Sequence, residues 1–408
     1  MRILHTSDWH LGQSFFSKNR KSEHQAFIDW LLNQVDEQQV DAVIIAGDVF
    51  DTGTPPSYAR ELYNQFVVAL QQHNCALVVL AGNHDSVSML NESKQVLACL
   101  NTDVIAGVEE DLSKQVIVLN NNEGQPGALV CAIPFLRPRD LIVSEAGESG
   151  VDKQVAIAQA IKTHYSKVYQ LALEKRKDLD IETLPIIATG HLTALGVSQS
   201  ESVRDIYIGS LDGFSADGFP PADYIALGHI HRPQKVTKHD TIRYSGSPIP
   251  LSFDELSSQK QVVLVDFGQQ TEVTTLDVPM SQPMELLKTN LEQLEVQVEA
   301  VQAKYPDQTV WLALEIESQD YLSDLQQRVA NIIEPFPVEV LQLKRSRKQD
   351  RSALAQQAKE TLSELTPSQV FEKRLDQEVF EGDEQTARKQ RIEQKFATIL
   401  NELKEGEA

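Results

Sequence analysis

AVIIAGDVFD, residues 42–51, is the stretch on which the fold turns. Ala42–Ala46 is a short unbroken apolar run, which reads as a strand. Glycine and aspartate follow at once, so the carboxylate of Asp48 stands just beyond the strand's carboxyl end, with Asp51 three residues on. Working outward, the same arrangement recurs. HTSDWH sets Asp8 and His10 after a strand at Ile3–Thr6, and VVLAGNHD sets Asn83, His84 and Asp85 after Ala76–Leu80. IIATGH sets His191 after Ile186–Thr189, and IALGHIH sets His229 and His231 after Tyr224–Leu227. Further strands are expected at Ala128–Ala132 and Val262–Val265, and helices over 22–38, 57–72 and 152–174. Strands alternating with amphipathic helices up to about residue 275 predict an α/β layered domain.

In an open α/β sheet, groups just past the carboxyl ends of the strands converge on one crevice. Five motifs with one placement would bring two or three aspartates, one asparagine and four or five histidines together. Imidazole and carboxylate in that mixture suit a pair of divalent cations such as Mn, Fe or Zn better than Mg or Ca. One carboxylate must bridge two such cations, and Asp48 is the natural bridge. Gly47, Gly82, Gly190 and Gly228 precede a ligand or stand one residue from it, where the absence of Cβ allows a sharp turn and leaves room for metals. A lone D-x-H or G-H pair arises by chance in a chain of this length. Half of the ten histidines gathered behind apolar strands is a different matter, because core histidines have no reason to collect at strand ends. The remaining five, His5, His24, His73, His164 and His239, read as structural or solvated. Trp9 reads as packing beside the metals. Asp51 and Asp85 are either further ligands or groups that orient a histidine or a loop.

Composition narrows the class. The 408 residues are 41% hydrophobic and 24% charged, as expected of a globular chain with real cores. The formal charge of −22 opposes simple adhesion to nucleic acid or to an anionic membrane. A nucleic-acid enzyme of this charge must gain cations from bound metals or from a partner. Cys75, Cys99 and Cys131 form no C-x-x-C pair, which excludes a thiolate zinc site and fits a reducing compartment. The first residues carry no basic-then-apolar leader, and no apolar run reaches the ~18 residues of a membrane span, so a cytoplasmic protein with no membrane partner is expected.

The charge is unevenly placed. Residues 341–408 carry 13 basic and 13 acidic groups, whereas residues 1–340 carry 24 and 46. Between 281 and 343 the pattern reads helix, strand, helix, strand, with strands at Thr309–Ile316 and Val338–Leu343, a small α+β domain. Residues 344–408 read as a linker, KRSRKQDR (344–351), followed by two amphipathic helices. The first begins at Thr366-Pro367 with Gln369 behind it and carries Phe371, Leu375 and Val379. The second carries Ile392, Phe396, Ile399, Leu400 and Leu403.

Taken in order, D-x-H, G-D-x-x-D, G-N-H-D, G-H and G-H-x-H form the signature of the calcineurin-like metallophosphoesterases. More narrowly, MRILHTSDWHLGQ (1–13), AGDVFDTGTPPSYA (46–59), LAGNHDS (80–86) and SGSPIPLSFDE (245–255) resemble the SbcD family of bacterial double-strand-break repair nucleases. The resemblance implies the α/β metallophosphoesterase sandwich, a small α+β capping domain and a helical C-terminal tail. It implies one metal on Asp8, His10, Asp48 and His231 and a second on Asp48, Asn83, His191 and His229, most often Mn2+. It implies that His84 is no ligand but faces the scissile phosphate. Asp51, counted with His84 as catalytic, stands where archaeal relatives carry a histidine that assists exonuclease action. The activity implied is double-strand 3′–5′ exonuclease and single-strand or hairpin endonuclease in DNA recombination and repair. The implied partners are an SbcC-type coiled-coil ATPase, which would offset the acidic charge, double-strand DNA ends and hairpins, and a second copy in a homodimer within a heterotetramer near the nucleoid. Helices at about 57–72 and 88–100 are the candidates for that contact, or else pack only on the sheet. Two other readings compete: another phosphoesterase of the superfamily, and a non-catalytic scaffold that binds a partner through 344–408. A full ligand set speaks against the scaffold, and the added domain and tail speak against a small-molecule esterase. Release of nucleotides from linear duplex DNA with Mn2+ separates them.

Overall fold

The computed structural model describes residues 1–141, 150–204, 213–317 and 324–346, together with positions 389, 391, 392, 395 and 396. The chain divides into two units, 1–347 and 348–408. In the first unit two six-stranded sheets are the framework. One runs, from edge to edge, Thr271–Asp277, Gln261–Phe267, Arg2–Thr6, Ala42–Ala46, Ala76–Leu80 and Thr102–Ile105. The other runs Gln234–Lys235, Ile242–Tyr244, Tyr224–Gly228, Ile186–His191, Pro126–Cys131 and Val116–Asn120.

The apolar strands are buried on both faces, and their alternate residues show why. Ala42, Ile44, Ala46, Val78 and Leu80 of the first sheet share one core with Val130, Ile187 and Ala226 of the second. Val43, Ile45, Leu77 and Val79 turn the other way, toward helices Lys21–Glu37 and Ser57–Gln72. On the outer face of the second sheet, Leu129, Ile186 and Ile225 pack with residues of helix Gly150–Asp178. The result is helix, sheet, sheet, helix. Within the first sheet Arg2–Thr6, Ala42–Ala46 and Ala76–Leu80 are mutually parallel, so Thr6, Ala46 and Leu80 end side by side. In the second, Ile186–His191 and Tyr224–Gly228 are parallel, with Gly228 paired to His191.

The capping region departs from the expected order. It opens on a strand, Met284–Thr289, and continues helix Leu294–Lys304, strand Val310–Glu317, helix Leu325–Ile333 and strand Val338–Ser346. MELLKT has the composition of a helix, but parallel pairing to the central strand Val310–Glu317 overrides local preference. The last strand reaches Ser346, so the first residues of KRSRKQDR belong to the sheet and not to a linker. The edge strands Thr102–Ile105, Val116–Asn120 and Thr271–Asp277, and Ile242–Tyr244 one place in from an edge, also go beyond the sequence reading. The helix expected at 88–100 is two short ones, Val87–Glu92 and Lys94–Ala98, broken at Ser93. Of the tail, Ile392 and Phe396 are helical, while the stripe Phe371, Leu375, Val379 and the residues Ile399, Leu400 and Leu403 lie outside the described residues. Among the described residues no helix is long and apolar enough to cross a membrane.

Candidate metal centre

The loops that follow the strands of the first sheet are locked to one another before any side chain is considered. The Asp8, His10 and Leu11 amides donate to the carbonyls of Gly47, Asp48 and Val49 at 3.0, 3.0 and 2.9 Å, continuing the parallel ladder past the strands. That path forces Asp8, His10 and Asp48 into the left-handed backbone region, at φ of 54°, 47° and 50°, and His229 across the seam lies at 96°. Each such residue carries about 1–2 kcal/mol of strain. Strain at four side chains with metal-binding chemistry marks a site whose geometry the rest of the fold imposes. Two glycines permit the close approach. A Cβ on Gly82 would collide with the Asp48 carboxylate, and one on Gly228 with the Ala46 carbonyl of the opposite sheet.

The ligand-type atoms converge in two overlapping groups. Asp8, His10 and His231 form one, and Asp48, His191 and His229 the other. A third set, His10, Asp48 and His84, overlaps both. Asp48 Oδ2 lies 3.2 Å from His191 Nε2 and 3.6 Å from His10 Nε2, which places one carboxylate oxygen between the groups. Asn83 Oδ1 meets His191 Nε2 at 2.9 Å and His229 Nδ1 at 3.1 Å, joining the second group.

The donors behind these rings fix how they face. His191 Nδ1 donates to the Ala46 carbonyl at 3.0 Å, and His10 Nδ1 donates to Asp51 Oδ1 at 3.1 Å. Each Nε2 therefore turns a lone pair inward. His10 Nε2 and His229 Nε2 are buried without a hydrogen-bond partner among the described residues. At His191 a lone pair is aimed at the oxygens of Asn83 and Asp48, an arrangement satisfied only by a proton or a cation. Without metal a proton takes that place. Burial opposes charge on His191, but Asp48 outweighs it and lifts the pKa to about 9. Burial likewise opposes the charge of Asp48 and is overcome, chiefly by His191, so its carboxyl is held well below the usual range. His10 is raised too: burial works against it, and the bond to Asp51 and the charges of Asp48 and Asp8 prevail. His229 is held well below its usual value by burial and by the neighbouring His191. The donor set fits divalent cations.

The remaining sequence candidates fall outside these ligand contacts or at their edge. His84 donates from Nδ1 to the Asp51 carbonyl at 2.7 Å, and its amide donates to Asp48 Oδ1 at 2.8 Å. Its ring stands edge-on to His10 with centroids 4.7 Å apart. The Asp51 carboxylate backs His10, and Asp85 accepts the amides of Gly82, Phe50 and Val49 at 2.8, 3.0 and 3.2 Å. Asp85 thereby ties two site loops together. Burial and the charge of Asp48 raise it to about 6. Trp9 is fully buried against Phe27 and Phe66, and His24 holds the Trp9 carbonyl at 3.0 Å.

Sequence reasoning missed Ser202, Glu255 and Lys260. Ser202 Oγ meets His231 Nδ1 at 2.6 Å, and Glu255 and Lys260 are buried behind it. Glu255 closes the quoted SGSPIPLSFDE stretch, but no spacing ties it, Ser202 or Lys260 to His231; only the packing of the folded chain brings the three there.

The calcineurin-like phosphoesterase family matches residues 1–233, more than half of the chain. A family described as Type 5 capsule protein repressor C-terminal domain (SbcD_C) matches residues 280–379. The SbcD subunit of the nuclease SbcCD from Escherichia coli (strain K12) is 53% identical over 405 residues, covering 99% of this chain and 98% of that one. The SbcD subunits of the same nuclease from Rhodobacter capsulatus and Bacillus subtilis (strain 168) are 35% identical over 297 residues and 32% over 327. The alignments cover 70% of this chain and 71% of the first, and 79% of this chain and 81% of the second.

Proposed function

The chain belongs to the SbcD family of calcineurin-like phosphoesterases, and from that premise we propose that it is the metal-dependent DNA nuclease subunit of an SbcCD-type complex. The observation that carries the reading is the convergence of Asp8, His10 and His231 with Asp48, His191 and His229 around a shared Asp48 oxygen. In this reading Asp8, His10, Asp48 and His231 hold one Mn2+, and Asp48, Asn83, His191 and His229 hold the other. When bound, the cations supply neutralisation of phosphate charge and a more acidic water.

The chain's own residues supply the rest. Asp48, excluded from water and ionised, keeps both groups of ligands at one centre. His84, anchored through Nδ1 on the Asp51 carbonyl, would offer Nε2 to the oxygen of the departing strand. Burial holds the His84 pKa below its usual value, and an incoming phosphodiester anion works against that, favouring a proton on the ring as the bond breaks. Asp51 backs His10 with its side chain and His84 with its carbonyl, a double role that accounts for counting it among the catalytic residues.

Residues 1–275 form the nuclease domain in this reading, 281–346 the cap, and 347–408 the linker and helices that dock on an SbcC-type coiled-coil ATPase near the nucleoid. A partner is a physical requirement as well as a family expectation, since a surface of −22 repels duplex DNA. A second copy of the chain is assigned to the groove of about 740 Å³ between helix Ser57–Gln72 and the pair Val87–Glu92 and Lys94–Ala98. There Val68 and Val96 are 51% and 66% exposed beside Met89 and Leu97.

The test is hydrolysis with Mn2+ and the coiled-coil ATPase on a linear duplex and on a hairpin. Release of nucleotides from the 3′ ends and opening of the hairpin is the expected result. Cleavage of small phosphodiesters without action on DNA would point to another phosphoesterase, and no hydrolysis at all to a scaffold. Truncation after Asp350 should leave a folded, metal-loaded protein that no longer co-purifies with the ATPase. Val68→Asp with Val96→Asp should shift sedimentation from dimer to monomer.

A further inference from the structure

Behind His231 lies a buried ion pair that the proposed chemistry does not use. Glu255 is fully buried and Lys260 only 5% exposed, yet their charged ends meet at 2.6 Å. Glu255 also accepts the Ser200 hydroxyl at 2.8 Å, the Leu251 amide at 3.0 Å and the Ser202 hydroxyl. Lys260 gives its other protons to the His231 carbonyl at 2.9 Å and to Ser247 Oγ at 2.8 Å. The ring of His231 is held from the same pair. Its Nδ1 donates to Ser202 Oγ at 2.6 Å, the Ser202 hydroxyl donates in turn to Glu255 Oε1, and that oxygen lies 3.3 Å from Nδ1.

Removing two charges from water is unfavourable, and such a pair seldom contributes net stability over an apolar one of similar size. Its effect is therefore to be sought in what it touches. Both members touch His231, one through the main chain and one through the ring. With Nδ1 committed as a donor, the lone pair of His231 is confined to Nε2, and a carboxylate behind the hydroxyl makes that nitrogen the stronger base.

We propose that Glu255 and Lys260, acting through Ser202, are positioning residues that set the tautomer and aim of His231 toward Asp8 and His10. This rests on His231 being a metal ligand.

The experiment uses the full chain and Mn2+ titration by calorimetry, with thermal melting alongside. Glu255→Gln or Lys260→Met alone leaves one buried charge without its partner and is expected to lower stability. The double variant removes both charges and should melt close to the parent. It should bind one Mn2+ about 10–100-fold more weakly and the other as before. Ser202→Ala is expected to weaken the same ion, and Ser202→Thr, which keeps the hydroxyl, to restore it. This pair also carries the test if the double variant fails to fold. Parental affinity for both ions in Ser202→Ala and in a folded double variant, with His231→Ala losing one, overturns the positioning role. If His231→Ala itself binds both ions like the parent, the ligand reading falls and this inference with it.

Discussion

The two sheets contribute different chemistry to one site. The first brings Asp8, His10, Asp48 and Asn83, with three of the four in left-handed backbone; the second brings only imidazoles, His191, His229 and His231. Their support differs as well. On the first sheet the loops hold one another through amide–carbonyl bonds and through Asp85. On the second, His191 leans on a main-chain carbonyl of the first sheet and His231 on a side-chain relay. Both carboxylates thus stand on the first sheet, and three of the four imidazoles reach them only where the two sheets pack. Neither sheet holds a complete site, so cation affinity is a property of the seam.

The largest effect is expected of Asp48→Asn, because one oxygen of Asp48 faces imidazoles from both sheets. Loss of both ions and a fall in turnover of at least about 10³-fold are expected. Calorimetry that still found two ions bound with parental affinity would falsify the shared role.

Next in size is His84→Ala. On the proposed ligand set it removes no ligand, so metal content should stay whole while kcat on DNA drops about 10²–10⁴-fold. Parental turnover at full metal occupancy would remove His84 from the chemistry.

Asp51→Asn keeps the shape behind His10 but discards the charge. Metal affinity at the Asp8–His10–His231 group should fall about 10–100-fold with the other group spared. An equal loss at both groups would show that the two are not separately supported.

The smallest effect concerns the seam beneath the site. His5 of the first sheet meets Tyr224 Oη at 2.9 Å and the Leu227 carbonyl at 3.2 Å on the second. Burial lowers its pKa from 6.5 to about 3. The native state therefore keeps His5 neutral while the unfolded chain takes a proton. Stability from this group is present above pH 6.5 and is lost as pH falls toward 3. In metal-free protein, His5→Gln should reduce the slope of unfolding free energy against pH below 6.5 by about 1.4 kcal/mol per pH unit. Denaturant titrations across that range give the slope, and an unchanged one would mean that His5 titrates freely.

Much of this was legible in the chain. Apolar runs with ligand-type residues just past them marked the strands and the five motifs, because a parallel strand buried on both faces has to be apolar and has to expose its chemistry at its end. The choice of seven ligands among the motif residues rested on the family resemblance. Helices Lys21–Glu37 and Ser57–Gln72 followed from their periodicity within a residue of their observed ends. Met284–Thr289 did not, since its Leu-rich composition favours a helix and only pairing with Val310–Glu317 makes it a strand.

What the sequence determined by itself was the inventory: which residues could bind metal, and that each would sit at a strand end. That the strands belong to two sheets and not one followed only from the resemblance to a sandwich fold and not from composition, because a strand buried against a helix and one buried against another sheet look alike in composition. Tertiary structure alone decided that Ala46 of one sheet would receive His191 of the other and that Asp48 would lie between imidazoles from both. It also brought Glu255, at the end of SGSPIPLSFDE, and Lys260 behind His231. Contacts of that range depend on how layers pack, and no local rule of spacing carries them.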